Sequence, residues 1–378
     1  MTAPAMTAAT NMPEGPWVLV IGAHRSGTSA ITGALVAMGL QGIDPSDRME
    51  WAESNPEHWE SLAAALYDDE LLAEVGGTWD APPELGQMPV GSDSGRSPTD
   101  IMGAAYPLPG PLVWKDPRAC LLLPYWRQVL PGPLTAVFVW RDPLAVARSL
   151  HARDGMSIEY GLALWERYNR SAAAGLQGID TYVLDYDSLV EDPAGAFSSV
   201  ADWLGDLDRF GPLGTSWDVE AAASTVDRGL HHQSSHIDPE ASHPADAGVM
   251  AQWLHSLQGG HRPFATEPPA PISSWPEAMV ELRREQVELR REQVELRGDL
   301  RRSLDEASAL ANRAEAMEQA LRSGYQEEID RLVEQLHEAR QRADSLAWEV
   351  EKVTSSASWK LTRPLRTATS RLSGPPKV

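Results

Sequence analysis

The first two hundred or so residues predict a three-layer α/β sandwich, a central parallel sheet covered by helices on both faces, with an α-helical coiled coil following it. Three observations carry that expectation. Short apolar runs alternate with segments of helical period. A glycine-rich turn joins the first run to the first helix. From about Trp275 the chain becomes densely charged and repeats every seven residues.

Residues 1–15 are small, polar and Pro-containing and read as a loose arm, with neither a basic region nor an apolar run that would mark a secretory signal. Trp17–Ile21 is a compact apolar run suited to a buried parallel strand, and a helix is expected from about Gly27. Helical pattern resumes over Ser61–Glu74. Residues 86–110 are rich in Gly, Pro and Ser and read as a flexible loop or lid. Leu112–Trp114 and Thr135–Trp140 are further core strands. Pro143 suits the first turn of a helix, and another helix spans roughly Glu159–Ala174. Thr181–Leu184 is a fourth strand, followed by a helix over Pro193–Leu204. The pattern weakens over 205–275, so the globular domain is placed at 16–270.

A coiled coil is placed at 276–354. Its opening repeat, VELRREQVELRREQVELR from Val280, sets Val and Leu two apart, which puts them on nearly opposite sides of a helix and makes a poor two-stranded seam. Leu332, Leu336, Ala339, Ala343, Leu346, Val350 and Val353 alternate by four and three and make a better one. This predicts homo-oligomerisation or partner docking; a lone solvated helix on its own domain is the alternative.

Composition narrows the function. A formal charge of −22 argues against a nucleic-acid partner, whose phosphates require a basic surface. The one cysteine, Cys120, excludes an intramolecular disulfide and fits a reducing cytoplasm, where it serves as a buried apolar group. No run of eighteen apolar residues occurs, so no transmembrane helix is expected.

The glycine-rich turn, IGAHRSGTSAITGALVAMGL at 21–40, carries the chemistry. Gly22 and Gly27 are spaced as in a P-loop, where backbone N–H groups and the next helix N-terminus face an anion. An ATP-binding loop would add Lys and a magnesium-binding hydroxyl. Here Thr28 and Ser29 follow Gly27, and the cation, Arg25, sits inside the loop. An Arg before Ser-Gly-Thr still grips a terminal phosphate through its forked donors.

HRSGTS after a strand resembles the 5′-phosphosulfate loop of sulfotransferases that use 3′-phosphoadenosine 5′-phosphosulfate (PAPS). ESNPEHWE at 53–60 and LLAEVGGTWDAP at 71–82 are similar to the segments that follow that loop in bacterial members. VWKDPRACLLLPYW at 113–126 resembles their next motif, and tyrosine sulfotransferases carry a similar Lys-Asp-Pro. VFVWRDPLAVARSL at 137–150 looks like the 3′-phosphate motif, and YVLDYDSLVEDP at 182–193 is similar to the segment that closes the fold. The resemblance covers roughly 16–235 and implies the P-loop-type version of the sandwich.

That resemblance implies roles. Arg25, Ser26, Gly27, Thr28 and Ser29 would hold the 5′-phosphate, and Arg141 and Ser149 the 3′-phosphate. Lys115 would touch the sulfuryl or bridging oxygen, near Arg118. The duller alternatives are an Arg141–Asp142 ion pair, Ser149 as a plain helix residue and a Lys115–Asp116 salt bridge. Glu60 is the expected catalytic base, with Glu57, His58 and the nearby Glu53 as competitors. Arg228, His231 and His232, in VDRGLHHQSSH, would fold over the nucleotide. A zinc site at His231, His232 and His236 is disfavoured, because no carboxylate or thiolate has ligand spacing, so no metal is expected.

The expected activity is sulfuryl transfer from PAPS to a hydroxyl or amine, on an acceptor glycan, glycolipid or small molecule. Two other classes stay open: a P-loop kinase or NTPase, and a degenerate scaffold acting through its coiled coil. The tail at 355–378 has five basic residues and no acidic ones from Trp359 onward. It resembles tails that follow coiled coils in bacterial polysaccharide-assembly glycosyltransferases. It is read as a peripheral contact with the inner face of the plasma membrane, a dock for a glycan-assembly partner, or a frayed soluble end of a cytoplasmic protein.

Overall fold

The computed structural model describes residues 12–13, 15–49, 59–83, 86, 89, 96–210, 217–226, 245–271, 273–320 and 326–356. The chain divides into two units, Met1–Val280 and Glu281–Val378.

In the first unit β1 (Trp17–Ile21) leads into α1 (Thr28–Met38), followed by α2 (Leu62–Glu74) and α3 (Pro98–Ala105). Then come β2 (Leu112–Lys115), α4 (Ala119–Val129), β3 (Leu134–Trp140), α5 (Pro143–Asp154) and α6 (Ile158–Gly175). The unit continues with β4 (Asp180–Asp185), α7 (Tyr186–Glu191), α8 (Pro193–Gly205), α9 (Val219–Ser224), α10 (Ala245–Ser256) and β5 (Gly259–His261). The sheet order is β2-β1-β3-β4-β5; the first four strands are parallel and β5 pairs antiparallel with β4.

Alternation along the strands builds two cores. Trp17, Leu19 and Ile21 of β1, with Trp114, Ala136 and Phe138, point to the face covered by α2–α6 and α10. Val18 and Val20, with Val113, Val137 and Val139, point to the face covered by α1 and α8. Every residue of β1 is buried, which is why the run is apolar throughout instead of alternating with polar residues. The three-layer arrangement is therefore the one the sequence predicts, apart from the antiparallel edge strand.

The helices begin where sequence chemistry starts them. Ser61 caps α2 by accepting from Ala64 N at 3.0 Å, and Asp142 caps α5 by accepting from Ala145 N at 2.8 Å. Each such cap stabilises by about 1 kcal/mol.

The stretch 86–110 departs from its reading as a loop: Ser97 caps α3, which buries Ile101, Met102 and Ala105. Three buried apolar side chains at helical spacing outweigh the local glycine and proline content. The helix α4 was not read from the sequence; Pro124 stands inside it, and Cys120, Leu123 and Trp126 bury its face. Burial of those side chains offsets the backbone hydrogen bond that proline removes.

In the second unit α11 (Trp275–Ala320, its first residues in the first unit) and α12 (Gln326–Ser355) are long helices. On α11 the Val-Leu repeat leaves Leu282 and Val294 exposed, as its two-residue spacing requires. On α12 Leu332, Ala339 and Ala343 are buried. Among the described residues no helix is long and apolar enough to cross a membrane.

Candidate functional site

The carboxyl ends of the parallel strands gather the chemistry. From β1 the chain runs toward β2 and from β3 toward β4, so adjacent strands β1 and β3 send their connections in opposite directions. Ligands of open α/β sheets bind at that switch point. The turn after β1 passes through Gly22, where an added Cβ would lie 2.4 Å from the Val139 carbonyl oxygen, so only glycine lets the loop run this close to β3. Arg25 has a φ of 68°, a left-handed conformation unusual for a residue with a side chain. Gly27, at φ 89°, then opens α1.

The loop and the β3–α5 corner meet directly. Arg25 Nε donates to Ser149 Oγ at 2.9 Å, joining the expected 5′-phosphate loop to the expected 3′-phosphate residue. Ser26 and Thr28 are buried in the loop, and Ser26 Oγ has no hydrogen-bond partner among the described residues. Burial, then the like charge of Arg153, lowers the Arg25 pKa. A cation held against other cations in this way favours an anionic ligand.

Arg141 follows β3. Its Nε lies 3.8 Å from Asp187 Oδ1 and its guanidinium sits 4.9 Å from the centre of the Tyr186 ring. Asp142 caps α5, while Asp187 lies within ion-pair distance of Arg141. The Tyr186 ring lies over the loop: a Cβ on Gly27 would come 2.0 Å from its Cδ2.

Lys115, the last residue of β2, points at the other side of the loop. Its Nζ donates to Ser29 Oγ at 3.0 Å and to Glu60 Oε1. Asp116 is taken instead by Arg118, at 3.2 Å, which corrects the expected alternative of a Lys115–Asp116 bridge. Arg118 also reaches Asp69 at 2.7 Å and Glu60 at 3.8 Å. Glu60 and Lys115 are almost wholly enclosed, at 7 % and 2 % exposure.

The structure thus brings Arg25, Ser26, Gly27, Thr28, Ser29, Glu60, Lys115, Arg141 and Ser149 to one edge of the sheet. Glu53, Glu57, His58, Arg228, His231, His232 and His236 lie outside the described residues. Sequence reasoning assigned nothing to His24, Trp79, Arg153, Tyr186 or Asp187. The ring of His24 rests against Trp79, over which the Arg153 guanidinium also sits at 5.3 Å. His24 stands within the loop motif and was legible as a candidate; Trp79 and Arg153 reach the site only through tertiary contact.

No protein-family model matches the chain, and no curated protein matches it. Solved structures that resemble it include two sulfotransferase domains. One is the sulfotransferase domain from the Synechococcus PCC 7002 olefin synthase, with 16% identity over 71% of this chain and 94% of that one and a TM-score of 0.33. The other is the sulfotransferase domain from the curacin biosynthetic pathway, with 13% identity over 71% of this chain and 97% of that one and a TM-score of 0.34. Likeness at that level leaves the function to be argued from the site.

Proposed function

We propose that this chain transfers a sulfuryl group from PAPS to a hydroxyl or amine of an acceptor. The observation that supports it best is the hydrogen bond from Arg25 to Ser149. It joins the lysine-free loop proposed for the 5′-phosphate to a residue proposed for a second anion across the switch point. A nucleoside triphosphate has no use for that second site, whereas a 3′-phosphate does.

Sulfuryl transfer, like phosphoryl transfer, needs in-line positioning and fixed positive charge on the leaving oxygen. Arg25 and the N–H groups at the start of α1 would take the 5′-phosphate, with Ser26, Thr28 and Ser29 around it. Arg141 and Ser149 would take the 3′-phosphate, and Tyr186 closes the loop between them. In the free chain Lys115 is held by Glu60 and Ser29. A donor bearing several negative charges competes for that ammonium, which moves to the sulfuryl or bridging oxygen and releases Glu60. The freed carboxylate accepts the acceptor's proton as the acceptor oxygen bonds to sulfur. The bridging S–O bond breaks, and its electron pair leaves with the 5′-phosphate opposite Arg25.

Calorimetry separates this reading from a nucleotide triphosphatase. Adenosine 3′,5′-bisphosphate (PAP) is expected to bind and ATP with magnesium is not. Arg141→Ala and Ser149→Ala should each weaken PAP binding by about 1.5–3 kcal/mol, the contribution of a hydrogen bond to a charged group. Equal affinity for ATP and PAP would overturn the reading. Transfer from radiolabelled PAPS into extracted envelope glycans, glycolipids or small metabolites then tests the acceptor, with a carbohydrate or glycolipid expected. The coiled coil as an assembly device, and the basic tail as a membrane or partner contact, belong to the same proposal.

A further inference from the structure

His24 has no part in the steps above, yet it stands between Ala23 and Arg25 in the loop itself. Its ring packs on Trp79, with centroids 4.7 Å apart and planes at 56°, and meets Tyr168 edge-on at 5.3 Å. That shelf is fixed from α6: Tyr168 Oη donates to the Trp79 carbonyl at 2.7 Å, and Tyr160 Oη to that of Asp80 at 2.5 Å. Even so, His24 Nε2 is buried and has no hydrogen-bond partner among the described residues. Burying a polar nitrogen without a partner is costly, and a bound hydroxyl at this nitrogen would remove that cost.

The charges that reach the imidazole are those of Arg153 of α5, Arg118 and Lys115 of the β2–α4 corner and Glu60 ahead of α2, and Tyr168 of α6 packs on its ring. Burial first, then Arg153 and Arg118, holds its pKa well below the ordinary histidine value, against the pull of Glu60. The ring is therefore neutral at neutral pH and offers a hydrogen bond, not a charge. Lys115 and Glu60, whose charges reach the ring, are the groups assigned to the transfer itself.

We propose that His24 recognises the acceptor, its Nε2 hydrogen-bonding an uncharged hydroxyl compound beside Glu60; this rests on the sulfotransferase reading. The test uses the full chain, PAP for the donor site, and glucose and phenol as hydroxyl probes with radiolabelled PAPS. His24→Leu is expected to raise the acceptor KM about tenfold while PAP affinity stays within about threefold. His24→Gln, which keeps a polar nitrogen at similar reach, should restore most of that loss. In the PAP complex of the wild-type chain, the ¹⁵N shift of His24 Nε2 should move when a probe is added. An unchanged KM in His24→Leu overturns the proposal, as does a PAP affinity that falls in step with transfer. If neither probe accepts sulfuryl, an Nε2 shift that neither probe moves overturns it equally. Failure of the wild-type chain to bind PAP would instead sink the sulfotransferase reading, and this inference with it.

Discussion

Arg25 carries two burdens at once: a left-handed backbone and a half-buried guanidinium whose charge is opposed by Arg153 more than Asp154 relieves it. Both are costs that an anionic ligand offsets, the backbone by presenting its N–H groups and the side chain by gaining a counter-charge. Arg25→Ala should therefore lower kcat for transfer on the order of a hundredfold, about 3 kcal/mol of barrier, if it meets the leaving oxygen. Circular dichroism and the melting temperature should stay close to those of the parent. A variant with undiminished kcat would remove Arg25 from the reaction. Gly27 is constrained differently, by a φ of 89° and the Tyr186 ring where its side chain would be. Gly27→Ala is expected to destabilise the fold by about 1–3 kcal/mol in thermal or urea unfolding. Adding Tyr186→Ala relieves the clash but leaves the left-handed backbone, so the double variant should recover only part of the loss.

At the scale of elements, what was legible depended on whether a segment advertised its own environment. β1 is apolar at every position and β3 at all but Thr135, because both faces of each strand are buried, and their bounds read almost directly from the sequence. The helices α5 and α8 begin with proline after an aspartate cap, which is local chemistry. By contrast α3, α4 and β5 owe their form to what packs on them, and none was placed from sequence. The site divides in the same way. Arg25, Lys115, Arg141 and Ser149 sit in motifs, whereas the link from Lys115 to Glu60 spans elements far apart in sequence.

One buried acid joins α2 to α4 and gives this scale its own prediction. Asp68 accepts from Trp126 Nε1 at 2.8 Å through Oδ1, while Oδ2 is without a partner. Burial, then the Asp116 carboxylate, raises its pKa well above the ordinary range. A native pKa above the unfolded one means the native state holds the extra proton. Stability therefore falls as pH rises from the unfolded value through the native one. Asp68→Asn keeps an acceptor for Trp126 and removes the titration. It should raise the melting temperature relative to the parent at about pH 8 and lose that advantage near pH 3. A difference independent of pH would show that ionisation of Asp68 does not govern the stability of this contact.

For the whole molecule the boundary between the two units carries the consequence. Val280 is buried in the apolar core of the first unit, although it opens the charged repeat that marks the second. Composition places the change of character near residue 275, whereas the first unit's core includes Val280. A chain of residues 1–280 should therefore keep its fold and its PAP affinity, whereas one ending at 275 should melt lower, having lost a fully buried valine worth about 1.5–3 kcal/mol. The long helices are then free to be tested for assembly. Leu332, Ala339 and Ala343 are covered by the chain itself, while Val333 and Trp348 are 51% and 61% exposed. If the helices join copies of the chain, removing 281–378 lowers the assembly number in light scattering at constant protein concentration. An assembly number that survives the cut would place the contact between copies in the first unit and leave the heptad seam to closure within one chain. Either way, donor binding should not change, because every residue assigned to the two phosphates lies before residue 150 among those the structure describes.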